Sequence, residues 1–131
     1  MRREDWHDKM WLAIEQHREV PFDWATDNCC TFAARVWDAM TDGDTVPKVK
    51  ACHPDELGAL RHIRDCGGLG PALERIYGPP VPGRAQRGDL VLVDTDNGPA
   101  AGIWVGSTAL VRGPVGLVAY PRSAILARWV P

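Results

Sequence analysis

The sequence predicts an α+β domain in which N-terminal helices pack on a C-terminal antiparallel β-sheet. In the first part of the chain, apolar residues recur at helical spacing between charged ones. After Pro82 the pattern changes to short β-prone runs separated by glycine turns. Helices followed by consecutive strands are typical of the α+β class. With 131 residues the chain fits a single domain, which we place over residues 1–131.

The first element predicted is an amphipathic helix over residues 3–20. Pro21 ends it, because a proline ring cannot continue a helix. The following connection, 21–28, is rich in turn-forming residues. The apolar positions that define the helix are Trp6, Met10, Trp11, Ile14 and Val20.

A second helix is predicted over residues 29–40. Asp27 or Asn28 can accept hydrogen bonds from the free amides at its start and so act as the N-cap. Gly43 is expected to close it. Its buried side is expected to carry Phe32, Ala33, Val36, Trp37 and Met40.

Residues 41–51 have no hydrophobic period and are expected to form a surface loop. A third helix follows, with Pro54 at its first position and Asp55 and Glu56 in its first turn. Glycines at 67–68 stop it. Its apolar residues are Leu57, Leu60 and Ile63.

A shorter fourth helix is predicted over residues 71–77, after a glycine-rich helix stop at 67–70. The strands come next and are expected to form an antiparallel meander, because each is joined to the next by a short turn. The four predicted strands are 89–94, 101–105, 108–111 and 117–120.

The composition is that of an ordinary globular protein, with 45% apolar and 24% charged residues. The net charge of -2 gives no electrostatic reason to expect a nucleic-acid partner. The charged residues at the N-terminus are not followed by an apolar run, so we expect neither a signal peptide nor a membrane anchor. The protein is therefore expected to be made in the cytoplasm. Its six tryptophans are spread along the chain, which indicates core anchors.

The four cysteines are expected to be reduced thiols, because the cytoplasm disfavours disulfides. Cys29 and Cys30 are adjacent, whereas Cys52 and Cys66 stand apart. Metal sites favour pairs of thiolates at short chelating spacing, so the sequence predicts neither a metal nor another cofactor. We expect Cys30, Cys52 and Cys66 to be small buried apolar side chains.

Three segments of the sequence contain the candidate residues of a functional site. Residues 28–33 read NCCTFA, residues 88–93 read GDLVLV and residues 100–106 read AAGIWVG. A thiol in the first turn of a helix, as expected for Cys29, has a lowered pKa and is a candidate nucleophile. In this order the segments resemble the NlpC-type, papain-like cell-wall peptidases, in which an Asp-Cys pair opens a helix, a Gly-Asp-Leu-Val strand follows and a later strand supplies a histidine. The resemblance covers most of the chain and implies a papain-like fold.

The resemblance also implies a degenerate catalytic site. Ala100 occupies the position of the family's histidine and Arg112 occupies about the third catalytic position, whose role is to accept a hydrogen bond from the imidazole. A guanidinium has donors only and cannot do so. Asn28 replaces the family's aspartate and keeps the capping oxygen without the charge. The three departures imply a retained fold and a lost reaction, with Cys29 as a candidate or vestigial nucleophile.

Another histidine could replace the missing base. His7 and His17 lie on the first predicted helix and His62 on the third, none of them on the strand that would face the cysteine. His53, beside Cys52 in a loop that could fold over the site, is the candidate that we retain. The histidines are otherwise expected to be solvated surface residues.

Small domains of this kind, with Phe-x-Trp at 22–24 and Cys-Cys-x-Phe at 29–32, look similar to a set of bacteriophage proteins associated with the tail tip. The resemblance implies a structural protein of the phage or prophage tail tip or tail assembly, made in the host cytoplasm and located in the virion. Its partners would be other tail-tip and hub proteins. Contacts are expected first at residues 77–82 and at the C-terminal residues 127–131, where exposed aromatic residues would favour binding.

Two alternatives stay open. The first is an active tail-associated peptidoglycan endopeptidase with Cys29 as its nucleophile, which would bind peptidoglycan. The second is an unrelated binding or regulatory domain.

Overall fold

The computed structural model describes residues 2–18, 20–21, 23, 28–52 and 55–131. It confirms the α+β class, with the helices first and the strands after them. The helices of the described chain are Trp6–Arg18 (α1), Cys29–Thr41 (α2), Thr45–Cys52 (α3), Glu56–Cys66 (α4) and Leu69–Tyr77 (α5). The strands are Leu90–Thr95 (β1), Gly98–Trp104 (β2), Ala109–Gly113 (β3), Gly116–Tyr120 (β4) and Ile125–Trp129 (β5), with a short 3₁₀ turn at Arg122–Ala124.

The sheet is antiparallel, with strand order β4-β3-β2-β1-β5. Strands β1 to β4 form the predicted meander. The fifth strand was missed, because residues 127–131 were interpreted as a C-terminal tail. This strand pairs with the outer edge of β1, and Trp129 is only 2% exposed and donates its Nε1 proton to the Gly78 carbonyl at 2.8 Å. Trp129 is thus a core residue and is not available as a contact for a partner.

The helices lie against one face of the sheet. That face contributes Leu90, Leu92, Ala101 and Ile103 to a core shared with α1, α2 and α5. The alternate residues of β1 to β3 form a smaller apolar cluster on the opposite face, around Val91, Val93, Trp104 and Val111. Since the side chains of a strand alternate between faces, β1, β2 and β3 each have buried residues on both sides of the sheet.

Helix α3 lies where a surface loop was predicted, so that prediction was wrong. The start of α3 is capped by a residue of another helix, Asp38 of α2. Its carboxylate accepts hydrogen bonds from the Thr45 amide at 2.9 Å, the Thr45 hydroxyl at 2.7 Å and the Val46 amide at 2.9 Å. A non-local cap of this kind leaves no periodic signal in the segment that becomes helical.

The other helix boundaries differ in detail from the predictions. Helix α1 ends at Arg18 rather than Val20. Helix α2 ends at Thr41, and its C-cap is Asp42 in a left-handed conformation (φ 57°) rather than the expected Gly43. Helix α5 begins at Leu69, so residues 69–70 are part of a helix and not of the predicted stop.

Helix α4 is stopped by Gly67 as predicted, with this glycine as its C-cap after Cys66. Asp55, which was expected in the first turn, is instead the N-cap, and its carboxylate accepts the Gly58 amide at 2.7 Å. The α4 leucines Leu57 and Leu60 are exposed rather than packed. The expectation for Pro54 lies outside the described residues.

Candidate functional site

Cys29 is the first residue of α2, and a capping box fixes it there. The Asn28 side chain accepts hydrogen bonds from the amides of Cys30 at 2.9 Å and Thr31 at 3.0 Å. The Thr31 hydroxyl in turn accepts the Asn28 amide at 2.7 Å. Asn28 is therefore the N-cap, as predicted, and the alternative cap Asp27 lies outside the described residues. These bonds hold the Cys29 sulfur at the positive end of the helix dipole.

A pocket opens in front of this sulfur, at the point where β2 and β3 stop pairing. The last pair of their ladder is Gly102 with Val111, and Ala100 and Arg112 follow it on the two strands. The pocket has a volume of about 430 Å³ and is lined mainly by apolar groups. It brings Cys29, Ala100 and Arg112 together, which are the three positions that the resemblance assigned to the catalytic groups.

The surroundings of Cys29 lower the pKa of its thiol to about 7. The largest cause is a hydrogen bond from the Cys30 thiol, with 3.9 Å between the two sulfur atoms. The backbone amides of Ala101, Cys30 and Cys29 also donate to the sulfur, while burial opposes the shift. The same pair raises the pKa of Cys30, because that thiol keeps its proton in order to donate it. Cys29 is therefore partly ionised at neutral pH.

Cys30 was expected to be an inert apolar residue, but it contributes to the site through its thiol. Its place next to Cys29 in the sequence could have indicated this contact. The role of the Ala101 amide could not be inferred from the side-chain pattern, because the amide is a backbone group brought in from β2.

Alkylation of Cys29 should follow a titration with its midpoint near pH 7, because only the thiolate is a strong nucleophile. Below that midpoint the rate of reaction with iodoacetamide should fall roughly tenfold per pH unit. The rate is measured by peptide mapping, with fragment ions separating Cys29 from Cys30. The same protein unfolded in urea is the control, and its midpoint should rise to about 8.5. A folded midpoint equal to the unfolded one would contradict the arrangement of donors described above.

The other two positions that the resemblance assigned to catalytic groups hold side chains that cannot accept a proton. Ala100 presents a methyl group. Arg112 is 4% exposed, and its Nη2 donates a hydrogen bond to the carbonyl of Val20. Among the described residues that line the pocket there is no histidine. The candidate base His53 lies outside the described part of the chain.

The described histidines lie elsewhere. His7 is exposed on α1, as expected. His17 was expected at the surface but is 2% exposed, with its ring centre 5.1 Å from that of Phe32. His62 is partly buried on α4, and its Nε2 is 3.6 Å from the Cys66 sulfur.

A family model described as "Domain of unknown function (DUF6950)" matches residues 1–130. The chain belongs to the DUF6950 family. A search of the curated proteins and a search of the solved structures each found no match.

In this DUF6950 chain, Gly88 and Asp89 of the GDLVLV segment stabilise the structure around the start of β1. Gly88 has a φ of +93°, and a Cβ atom there would lie 2.8 Å from the ring of Trp6. Asp89 is fully buried and accepts hydrogen bonds from Arg128 Nη1 at 2.9 Å and from the Gln86 amide at 2.8 Å. It thereby ties the start of β1 to β5 and to the preceding loop.

The described part of the DUF6950 domain contains no group of three or more His, Cys, Asp or Glu side chains arranged to hold a metal ion. Within the same residues, every helix is too short or too polar to cross a membrane. All four cysteines carry free thiols. Cys30 is buried as expected, whereas Cys52 and Cys66 were expected to be buried but are partly exposed.

Proposed function

We propose that this protein is a structural component of a phage or prophage tail tip or tail assembly, built on a papain-like peptidase fold whose catalytic site is degenerate. Its partners are other tail-tip and hub proteins, and its location is the virion. The observation that carries the proposal is the pocket in which Ala100 and Arg112 stand beside Cys29. These positions hold the base and its orienting group in the peptidases that the sequence resembles.

The chemistry of amide cleavage explains why these two residues matter. A cysteine peptidase must deliver a proton to the leaving amine after the sulfur attacks the carbonyl, and an imidazole oriented by an acceptor normally does this. A methyl group has no proton to give. A guanidinium stays protonated at any physiological pH and cannot cycle between acid and base. The site therefore retains a nucleophile without the partner that completes the reaction.

A second candidate function is a peptidoglycan cysteine endopeptidase, carried by the tail, with Cys29 as its nucleophile. The observation that favours it is the pKa of about 7 for the Cys29 thiol, which supplies thiolate at neutral pH without an imidazole. Backbone amides near the sulfur could also stabilise a developing oxyanion, as in other acyl-transfer enzymes. In this case the pocket would take a stem peptide or cross-bridge of the cell wall.

The two functions predict opposite results for Cys29→Ala. If the protein is structural, phage carrying this substitution should assemble tails and infect at wild-type efficiency, while deletion of the gene should abolish infectious tails seen by electron microscopy. Cys66→Ala, a partly exposed cysteine outside the pocket, is the matched control for thiol loss.

The purified protein should also release no muropeptides from peptidoglycan. Release that disappears in Cys29→Ala but persists in Cys66→Ala would overturn the structural proposal in favour of the hydrolase. Intact, infectious tails in the deletion strain would count against both tail functions.

A further inference from the structure

Arg112 is a buried positive charge without a negative partner among the described residues. It is 4% exposed and lines the Cys29 pocket. Its guanidinium keeps its charge at any physiological pH. It donates a hydrogen bond to a neutral group, the Val20 carbonyl, and its Nε has no hydrogen-bond partner. A buried charge is normally paired, because removing it from water is costly.

Arg128 shows how this protein pairs another arginine that has little exposure. The Arg128 side chain is 14% exposed, and its Nη1 donates to the carboxylate of the fully buried Asp89 at 2.9 Å. Its Nη2 donates to the Pro82 carbonyl at 2.8 Å. Arg112 has the carbonyl contact without the carboxylate. Its charge is therefore left for a group from outside the described chain to match.

The rest of the pocket wall suits an anion that has an apolar body. Among the described residues that line it there is no Asp or Glu. Asn28 and Cys29 line it at the start of α2, where the helix dipole is positive. Much of the remaining wall is apolar and includes Pro99, Val111 and Val118. The volume of about 430 Å³ is in the range of small-molecule sites.

We propose that this pocket binds an organic carboxylate with an apolar body, and that the carboxylate pairs with the guanidinium of Arg112. Arginine suits this group because its planar set of N–H donors matches the two carboxylate oxygens. The apolar body would leave water for the apolar wall, which favours binding further. The inference does not depend on the proposed tail function, since that function is judged by phage assembly and this one by binding to the purified protein.

The first test compares hexanoate with hexanamide, which have similar shapes but differ in charge. Binding to the full chain is followed by two-dimensional NMR. We expect hexanoate to bind with shifts of amides around the pocket, and hexanamide to bind roughly tenfold more weakly or worse, because charge-assisted hydrogen bonds are the stronger ones. Equal binding of the two, or no saturable binding of hexanoate, would overturn the proposal.

The same carboxylate could belong to a free acid or to the C-terminus of a peptide with an apolar last residue. An acetylated Ala-Leu dipeptide with a free C-terminus, compared with its C-terminal amide, separates these sources. Tighter binding of the dipeptide acid than of hexanoate would support the proposal with a peptide C-terminus as ligand. Tighter binding of hexanoate would support it with a free acid.

Hexanoate should also change the reactivity of Cys29. Cys29, Arg112 and Tyr120 are the titratable side chains among the described residues that line the pocket, and Cys30 donates to the Cys29 sulfur. A carboxylate near this sulfur disfavours the thiolate, so the midpoint of iodoacetamide labelling should rise above the pKa of about 7 expected without ligand. Hexanamide should leave the midpoint unchanged. An unchanged midpoint at saturating hexanoate would mean that the acid binds elsewhere, against the proposal.

Arg112→Met separates a ligand-binding role from a structural one. It removes an unpaired buried charge, so the melting temperature of the ligand-free protein should stay the same or rise. Arg128→Met is the matched control: it removes the partner of Asp89 and should lower the melting temperature by several degrees. Hexanoate should bind to Arg112→Met roughly tenfold more weakly or worse than to the wild type. A fall of several degrees in Arg112→Met would make Arg112 a structural residue and overturn the proposal, as would undiminished hexanoate binding.

Discussion

Asp89→Ala is expected to lower the free energy of unfolding by about 3–5 kcal/mol, the range seen when one partner of a buried ion pair is removed. Asp89 is fully buried and accepts hydrogen bonds from Arg128 and from the Gln86 amide. The Arg128 side chain is only 14% exposed, so it would be left with its charge poorly solvated and unpaired. Arg2 would lose a weaker partner, since its Nη2 lies 3.7 Å from the carboxylate.

The matched control for this substitution is Asp94→Ala, on the exposed end of β1, the strand that Asp89 precedes. It also removes one carboxylate but leaves no buried partner, and it should change the stability by no more than about 0.5 kcal/mol. Urea denaturation followed by tryptophan fluorescence measures both variants. If Asp89→Ala unfolds at the same urea concentration as Asp94→Ala, the carboxylate does not tie β1 to β5 as described.

The sequence was sufficient to predict the fold class, the β1–β4 meander and the start of α2. Each depends on local signals: a change in hydrophobic period, glycine turns, and a capping side chain next to the helix it caps. Helix α3 and strand β5 were missed because their determinants are distant in the sequence. The first turn of helix α3 is capped by the carboxylate of Asp38, which belongs to another helix. Strand β5 is held in place by its pairing with β1 and by the burial of Trp129.

For the candidate site, the sequence indicated which residues lie together but not the hydrogen bonds between them. The resemblance placed Cys29, Ala100 and Arg112 together, and the structure has all three in the lining of one pocket. What the sequence could not supply is the hydrogen bonding around the sulfur. The Cys30 thiol and the Ala101 amide lower the pKa of Cys29, and both depend on how α2 meets β2 in three dimensions. The burial of His17 beside Phe32 likewise follows from the packing of α1 on α2.

Gly102, in the AAGIWVG segment, lies close to the backbone of β3. Its replacement by alanine is the second substitution for which we expect a large effect. A Cβ atom at this position would lie 2.6 Å from the carbonyl oxygen of Leu110 and 3.0 Å from Cγ2 of Val111. The first neighbour is backbone of β3, which cannot rotate away. Gly102→Ala should therefore push β2 and β3 apart at their last pair, at a cost of about 1–3 kcal/mol or more, as for other overpacked sites.

The same substitution should also disturb the site, because the pair of Gly102 with Val111 is where the pocket of Cys29 begins. A shift of β2 would move the Ala101 amide away from the sulfur, so the pKa of Cys29 should rise from about 7 towards the value of a free thiol. Urea denaturation measures the loss of stability, and iodoacetamide labelling across pH measures the pKa. Both are predicted to change together.

Gly113→Ala on β3 is the control for glycine replacement next to the same pocket. Its nearest neighbour would be the Gly116 carbonyl oxygen at 3.4 Å, a contact that a small adjustment relieves. Its effect on stability should be clearly smaller than that of Gly102→Ala, and the midpoint of Cys29 labelling should stay near pH 7. Equal effects of the two alanines on stability and on labelling would mean that the close approach of β2 and β3 at Gly102 does not set the geometry of the thiol.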